Sequence, residues 1–147
     1  MATKMTGSEW KQFAFGKPRT AKLATVRADG APHVAPVWVA LDGDDVVFTT
    51  GETTTKAHAL RRDPRVALCF DDETPPFSFV LVEGDARISE DADALAEWAT
   101  RIGGRYMGEE RAEEFGRRNA VRGELLVHVH PTRITGYRNM SESPGRE

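Results

Sequence analysis

The stretch from His33 to Phe70 constrains the fold more than any other part of the chain, because its residue pattern changes type several times over a short length. Its first part is rich in β-branched and aromatic residues, which is typical of a half-buried strand, and it runs into the hairpin sequence Asp-Gly-Asp-Asp at 42–45. Asp63-Pro64 stops a helical segment farther on. The whole stretch predicts strands at 33–41, 46–50 and 66–70, with a helix from about 53 to 62 between the last two.

The junction between the second of these strands and the helix contains the first candidate binding site. Thr53, Thr54 and Thr55 supply hydroxyl groups and Lys56 supplies an ammonium group, next to the unpaired backbone N–H groups of the helix's first turn. An anion such as a phosphate would fit there. Alternatively, Thr53 caps the helix and Lys56 is a solvated surface charge. The segment by itself leaves both interpretations open.

Alternating and β-branched segments on both sides of this stretch predict a mostly antiparallel sheet. Ala28-Asp29-Gly30 is a turn that joins the first strand to the strand beginning near Pro32. Glu83-Gly84-Asp85 indicates a bend or a bulge. The further predicted strands are 21–26, 77–82, 86–88, 124–130 and 134–137.

Three further segments have the apolar spacing of helices. The first follows Thr6-Gly7-Ser8-Glu9, which has the pattern of a capping box, and the others span about 91–103 and 109–119. Gly103 and Gly104 do not form a nucleotide-binding motif, because no strand precedes them. We interpret them as the end of a helix.

Length and charge exclude several classes of protein. A chain of 147 residues predicts a single domain, 1–147, with a polar tail from about residue 141 that we expect to be disordered. The net charge of -3 argues against nucleic acid as a partner. No apolar run approaches the roughly 20 residues of a membrane span, so no membrane association is expected. The single cysteine, Cys69, lies in an apolar strand and suggests a packed thiol in the cytoplasm.

The residues that could perform catalysis by themselves are missing from the sequence. It contains no Gly-x-Ser-x-Gly elbow, no His-Glu-x-x-His and no phosphate-loop motif. His128 and His130 are two apart on a predicted strand and could share a metal, but no acid or cysteine accompanies them at ligand spacing, so we predict no metal site. We expect them on the polar face of an edge or interface strand. A cofactor would have to supply the chemistry, and no catalytic residue is assigned.

Several segments in order resemble one family. The sequence "FTT" followed by a Thr-rich loop with Lys, and then "LRRDPRVALCF", is similar to the pyridoxamine 5'-phosphate oxidase-like flavin and deazaflavin proteins. "AKLATVRADGAPHVAPVWV" and "FVLVEGDARIS" match other strands of that family, so that the resemblance covers about Arg19 to Tyr137. It implies an α+β fold, a mostly antiparallel split β-barrel with short flanking helices.

The resemblance also implies a cofactor. Classical oxidases of the family hold the FMN phosphate with basic residues on the strand before the hairpin, where this chain has none between His33 and Val39. The ending "LLVHVHPTRITGYR" is more similar to actinobacterial members that use coenzyme F420. We therefore expect an F420-dependent oxidoreductase acting on a small organic molecule. The alternatives are an FMN-binding oxidoreductase and a non-catalytic protein that binds flavin, F420 or haem.

The residues carried over from the family would surround that cofactor. Those near the phosphate or the tail would be Lys56, Thr55 and Thr54. Thr50 and Thr49 would lie beneath the phosphate, at the end of the preceding strand. The residues along the ring would be Ala35, Pro36 and Val37. The family places the cofactor between two protomers, so we expect a homodimer in which Phe77 and Phe79 of the second chain wall the substrate side. The threonines have an alternative role as strand residues, and the phenylalanines as ordinary core.

Overall fold

The computed structural model describes residues 1–142, which form one eight-stranded sheet with helices packed around it. The strands are β1 (Thr3–Lys4), β2 (Ala21–Val26), β3 (Pro32–Val37), β4 (Ala40–Asp42), β5 (Asp45–Gly51), β6 (Arg65–Asp72), β7 (Ser78–Ser89) and β8 (Glu124–Arg138). The helices are α1 (Glu9–Phe15), α2 (Thr55–Arg62), α3 (Ala92–Met107) and α4 (Ala112–Asn119), with a 3-10 turn at Glu109–Arg111.

Every strand pairing is antiparallel, and the sheet order is β3-β2-β6-β7-β8-β5-β4, with β1 added beside β8. The long strands β7 and β8 run through the centre of this order and connect its two halves. The predicted α+β class with a mostly antiparallel sheet is confirmed. None of the helices in residues 1–142 is both long enough and apolar enough to span a membrane.

The predicted strand 33–41 is wrong as a single element. It is two strands, β3 and β4, which lie at opposite ends of the sheet order. The chain leaves the sheet after Val37, and the backbone N–H of Val39 donates to the hydroxyl of Tyr106 at 3.1 Å instead of to a strand. That partner is distant in sequence, so local patterning gave no sign of the break. The hairpin at 42–45 is confirmed, since Asp42 pairs with Asp45.

Two pairs of predicted strands are continuous in the structure. Strands 77–82 and 86–88 form β7, and 124–130 and 134–137 form β8. The predicted irregularity is confirmed as a register shift between Glu83 and Gly84. A Cβ atom on Gly84 would lie 2.3 Å from the carbonyl oxygen of His130, so only glycine permits the two strands to approach this closely.

Helix ends differ from the predictions in two places. The capping box before α1 does not form, because the cap residue is Ser8, without a side-chain capping bond, and the Thr6 hydroxyl contacts the Glu9 carboxylate at 3.3 Å. The cap of α2 is Thr54, which accepts a hydrogen bond from the N–H of Ala57, and not Thr53. The predicted stop of α2 at Asp63 is confirmed.

Gly103 and Gly104 do not end a helix, which corrects the sequence interpretation. Helix α3 continues through both to Met107 and ends at Gly108, whose φ of +95° suits glycine. A Cβ atom on Gly103 would lie 2.6 Å from Cβ of Phe115. The glycine therefore allows α4 to pack closely on α3.

The apolar interior has two parts. One fills the barrel and includes Phe48 and Phe70, both fully buried, each contributing roughly 1.5–3 kcal/mol by burial. The other lies beneath α3, where Trp98 and Ile102 pack on Val47. This second cluster fixes α3 against β5. The expected disorder from about residue 141 concerns mainly residues 143–147, which lie outside the described residues.

Candidate functional site

A cavity of about 360 Å³ opens where β5 ends and α2 begins, and we call it the β5–α2 cavity. Strand β3, helix α3, the end of α4 and the start of β8 complete its wall. Its lining residues are Pro36, Val37, Trp38, Thr49, Thr50, Gly51, Thr54, Lys56, Ala99, Ile102, Asn119 and Glu124.

The loop between β5 and α2 is held by the hydroxyl group of Thr54. This group donates to the carbonyl oxygen of Gly51 at 2.9 Å and accepts from the N–H of Ala57 at 3.1 Å. It also lies 2.9 Å from the Thr50 hydroxyl. Since a hydroxyl has one proton, Thr50 is the donor in that contact. The protons of Thr50 and Thr54 are therefore used within the protein, and these residues shape the cavity.

Lys56 is the only basic residue that lines the β5–α2 cavity in the described part of the chain. Its side chain is half-buried, and within residues 1–142 it has no carboxylate partner within 4.0 Å. An ammonium group placed in this way is available to an anionic ligand. A charge-assisted hydrogen bond there would be stronger than one between neutral groups.

Glu124 is the acidic residue of the same wall. It pairs with Gly51 across β8 and β5, and a Cβ atom on Gly51 would lie 3.4 Å from the Glu124 Oε1 atom. Burial raises the pKa of Glu124, while the neighbouring Thr49 hydroxyl and the positive charge of Lys56 act in the opposite direction. One positive and one negative side chain thus face this cavity.

The aromatic wall is formed by Trp38, which stacks on Tyr106 of α3. The hydroxyl of Tyr106 donates to the carbonyl oxygen of Arg19 at 2.6 Å. Ala99 and Ile102 extend the apolar surface from α3. A flat apolar wall of this kind suits a planar ring.

The structure brings together six of the ten residues proposed from the sequence. The six around the β5–α2 cavity are Pro36, Val37, Thr49, Thr50, Thr54 and Lys56. Ala35 and Thr55 are not part of its lining. Phe77 is exposed before β7, and Phe79 packs on Tyr137, so neither lies at the cavity of its own chain. Their assignment concerns a second protomer, and all ten roles stay predictions.

Sequence reasoning missed the far wall of the cavity. Ala99, Ile102, Asn119 and Glu124 reach it from segments that are distant along the chain, whereas Trp38 directly follows Val37 and was not proposed. The apolar spacing of α3 indicated a packed helix but not which of its residues would face a cavity. Glu124 had no signal at all, since an acidic residue at the start of a strand is ordinary.

His128 and His130 form separate pairs with carboxylates. His128 Nε2 lies 3.2 Å from Asp42 Oδ2, and His130 Nδ1 lies 2.9 Å from Asp45 Oδ1. Strand β8 lies between β5 and β7, so of the two expected positions the edge strand is wrong, and the interface strand stays a prediction. Among the residues described, no three His, Cys, Asp or Glu side chains converge as metal ligands.

Comparison with known proteins identifies the family. The family model described as pyridoxamine 5'-phosphate oxidase matches residues 7–136, which includes every strand except β1 and the last two residues of β8, and every residue that lines the β5–α2 cavity. The chain belongs to the pyridoxamine 5'-phosphate oxidase family. The resemblance seen in the sequence is therefore confirmed, and with it the split-barrel fold.

Individual members of the pyridoxamine 5'-phosphate oxidase family show how far the similarity extends. A pyridoxine/pyridoxamine 5'-phosphate oxidase from Kineococcus radiotolerans is 35% identical over 92 residues, which are 63% of this chain and 41% of that protein. The chain thus matches less than half the length of this curated relative.

Two solved structures of the same fold are similar over most of both chains. The conserved hypothetical protein Rv2991 from Mycobacterium tuberculosis is 28% identical with a TM-score of 0.81, over 97% of this chain and 93% of that one. A protein described as an F420 reductase is 25% identical with a TM-score of 0.69, over 88% of this chain and 98% of that one.

Proposed function

We propose that this protein is an F420-dependent oxidoreductase, which transfers a hydride between the deazaflavin and a small organic molecule. The observation that carries the proposal is the position of Lys56, a half-buried ammonium group without a carboxylate partner in residues 1–142, on the wall of a cavity with a flat aromatic side. Such a combination suits a ligand that has both a planar ring and an anionic group.

The residues present fit this cofactor. Lys56 would hold the phosphate or the tail, while Pro36, Val37 and Trp38 would lie along the ring. A cavity of about 360 Å³ is within the usual range for small-molecule sites, roughly 300–1,000 Å³. The bound deazaflavin would supply the hydride-transfer chemistry, and the protein would bind it, orient it and exclude water from one side.

F420 is favoured over FMN by the distribution of basic residues. Strand β3 carries no Arg or Lys, so its side of the cavity offers no second cation for a doubly charged phosphate. The similarity to a protein described as an F420 reductase supports the same choice. An FMN oxidoreductase is the alternative, since the relative from Kineococcus radiotolerans is a pyridoxine/pyridoxamine 5'-phosphate oxidase.

A cytoplasmic location also belongs to this proposal. Cys69 is a free, half-buried thiol whose pKa is raised by burial, so it is mostly protonated and unreactive at neutral pH. Such a thiol is suited to a reducing compartment.

The cofactor can be identified by titrating the purified protein with F420 and with FMN. Native mass spectrometry and absorbance distinguish the two, because deazaflavin and flavin differ in mass and spectrum. The proposal expects F420 to bind more tightly, and reduced F420 to be reoxidised only when an activated alkene or quinone is added. Tight binding of FMN without binding of F420 would establish the alternative. A protein that binds F420 without turnover over a broad panel of acceptors would be a carrier.

A further inference from the structure

Glu124 lies at the border between two cavities. It lines the β5–α2 cavity together with Lys56, and it also lines an adjoining cavity of about 300 Å³ whose wall includes Glu52 and Arg122. The side chains of Glu52 and Arg122 are exposed, whereas that of Glu124 is half-buried. An anion bound in the β5–α2 cavity would therefore interact more strongly with the charge of Glu124 than with the charges of Glu52 and Arg122, because less water screens it.

The charges that line the β5–α2 cavity nearly cancel. Among the described lining residues, Lys56 is the only base and Glu124 the only acid. Their combined charge is close to zero when both are ionised. A half-buried site screens charges less than open water does, so an additional negative charge on a phosphate bound there is felt strongly.

We propose that Glu124 is a specificity-determining residue, which selects a ligand whose phosphate carries one negative charge over a ligand whose phosphate carries two. This inference rests on the proposed function. F420 contains a phosphodiester, which has one ionised oxygen, whereas FMN is a phosphomonoester with a charge of about -1.5 to -2 at pH 7.

The preference follows from how the two side chains act on each ligand charge. Lys56 attracts every negative charge on the phosphate, and Glu124 repels every one of them. A dianion beside Glu124 either meets the charged carboxylate or binds only when that carboxylate takes up a proton. In both cases Glu124 offsets the attraction of Lys56 for the second charge, so that charge brings no net gain to balance the greater loss of hydration of a dianion, and a monoester binds less tightly than a diester at neutral pH.

The inference can be tested without changing the ring of the ligand. FMN and its monomethyl phosphate ester share the isoalloxazine ring and differ by about one charge. Binding of each is measured calorimetrically at pH 7.5 and constant ionic strength for the wild type, for Glu124→Gln and for the control Glu52→Gln. Glu52 is a carboxylate of the adjoining cavity only, and it is exposed.

We expect the wild type and Glu52→Gln to bind the ester more tightly than FMN. In Glu124→Gln, the affinity for FMN relative to the ester should rise by about fivefold or more, which is the size expected for removing one nearby like charge in a partly screened site. Added salt should reduce the preference of the wild type.

Tighter binding of FMN than of the ester by the wild type would overturn the inference, and this measurement does not depend on the folding of any variant. Equal changes for both ligands in Glu124→Gln, or no binding of FMN to that variant, would overturn it as well. F420 titration of the wild type separates the two proposals. If F420 fails to bind while the flavin preference follows Glu124, the proposed function fails and the charge selection stands.

Discussion

Trp38 and Tyr106 stack face to face, with ring centroids 5.0 Å apart and ring planes 3° apart. The contact joins the wall of the β5–α2 cavity to helix α3. Tyr106 is itself fixed, because its hydroxyl donates to the carbonyl oxygen of Arg19 and accepts from the N–H of Val39. The orientation of the cavity wall therefore depends on a residue that does not line the cavity.

The first prediction concerns this hydroxyl group. Tyr106→Phe should keep the stack but leave two backbone groups without a partner, and should lower the free energy of unfolding by about 1–3 kcal/mol. Denaturant unfolding measures the change. Tyr137→Phe is the control, because the Tyr137 hydroxyl has no hydrogen-bond partner within residues 1–142. An equal effect of both substitutions would contradict the role given to Tyr106.

The second prediction compares two neighbouring glycines of α3. Alanine is favoured over glycine in a helix by about 1 kcal/mol, but a Cβ at Gly103 would lie 2.6 Å from Cβ of Phe115. At Gly104 it would meet only the end of the Glu109 side chain, which can move away. The clash at Gly103→Ala should cost about 1–3 kcal/mol, which the higher helix propensity of alanine offsets only in part, so this variant should be less stable than the wild type. Gly104→Ala should be neutral or stabilising. Thermal melts that rank the two in the opposite order would contradict the packing argument.

Local signals predicted the elements whose partners are close in sequence. The hairpin at 42–45 and the helix that stops at Asp63 depend on turn and capping residues within a few positions, and the structure confirms both. The break between β3 and β4 depends on the hydrogen bond between Val39 and Tyr106, which no local pattern reveals. The continuation of α3 through Gly103 likewise depends on the approach of α4.

The same division holds for the candidate site. The six proposed residues that line the cavity all fall between Pro36 and Lys56 in the sequence, and the resemblance to a family was sufficient to name them as candidates. Glu124 and Ile102 reach it through the pairing of β8 with β5 and the packing of α3, which are tertiary features. The charge balance of the site could therefore not be predicted before the structure.

The third prediction is that the protein forms a homodimer. Strand β3 lies at one end of the sheet order, Val34 on it is 63% exposed, and Phe77 is 41% exposed. A two-fold contact would cover such residues and bring Phe77 and Phe79 to a partner's cavity. Light scattering at micromolar concentration should give twice the chain mass. A monomer that still binds F420 would contradict both the dimer and the role of the two phenylalanines.

The fourth prediction concerns Lys56. A charge-assisted contact contributes roughly 1.5–3 kcal/mol, so Lys56→Ala should weaken F420 binding by about tenfold to a hundredfold. The affinity of the wild type should fall with added salt, and that of the variant should fall less steeply. Calorimetric titration at two ionic strengths measures both effects. Lys4→Ala, at an exposed lysine of β1, is the control for a general loss of positive charge. Equal F420 affinities of wild type and Lys56→Ala would remove Lys56 from the site.

The last prediction concerns the pH dependence of folding at Glu124. Burial raises the pKa of Glu124 in the folded protein above its usual value of 4.5, so the folded state binds a proton more readily than the unfolded state. The free energy of unfolding therefore decreases as pH rises through the folded pKa, and the ionised carboxylate destabilises the fold at neutral pH.

Because glutamine cannot ionise, Glu124→Gln should raise the melting temperature at pH 7.5. The side chain is partly exposed to water, so the rise should be no more than about 3 °C, and it should shrink as pH falls toward 4.5. Glu114 is the control, because its pKa is shifted in the opposite direction: a hydrogen bond from Arg111 lowers the pKa of that carboxylate. Glu114→Gln should leave the melting temperature unchanged or lower it at pH 7.5. If Glu124→Gln melts below the wild type at pH 7.5 and the gap closes on acidification, then the Glu124 carboxylate stabilises the fold as an anion, and its pKa is lowered and not raised.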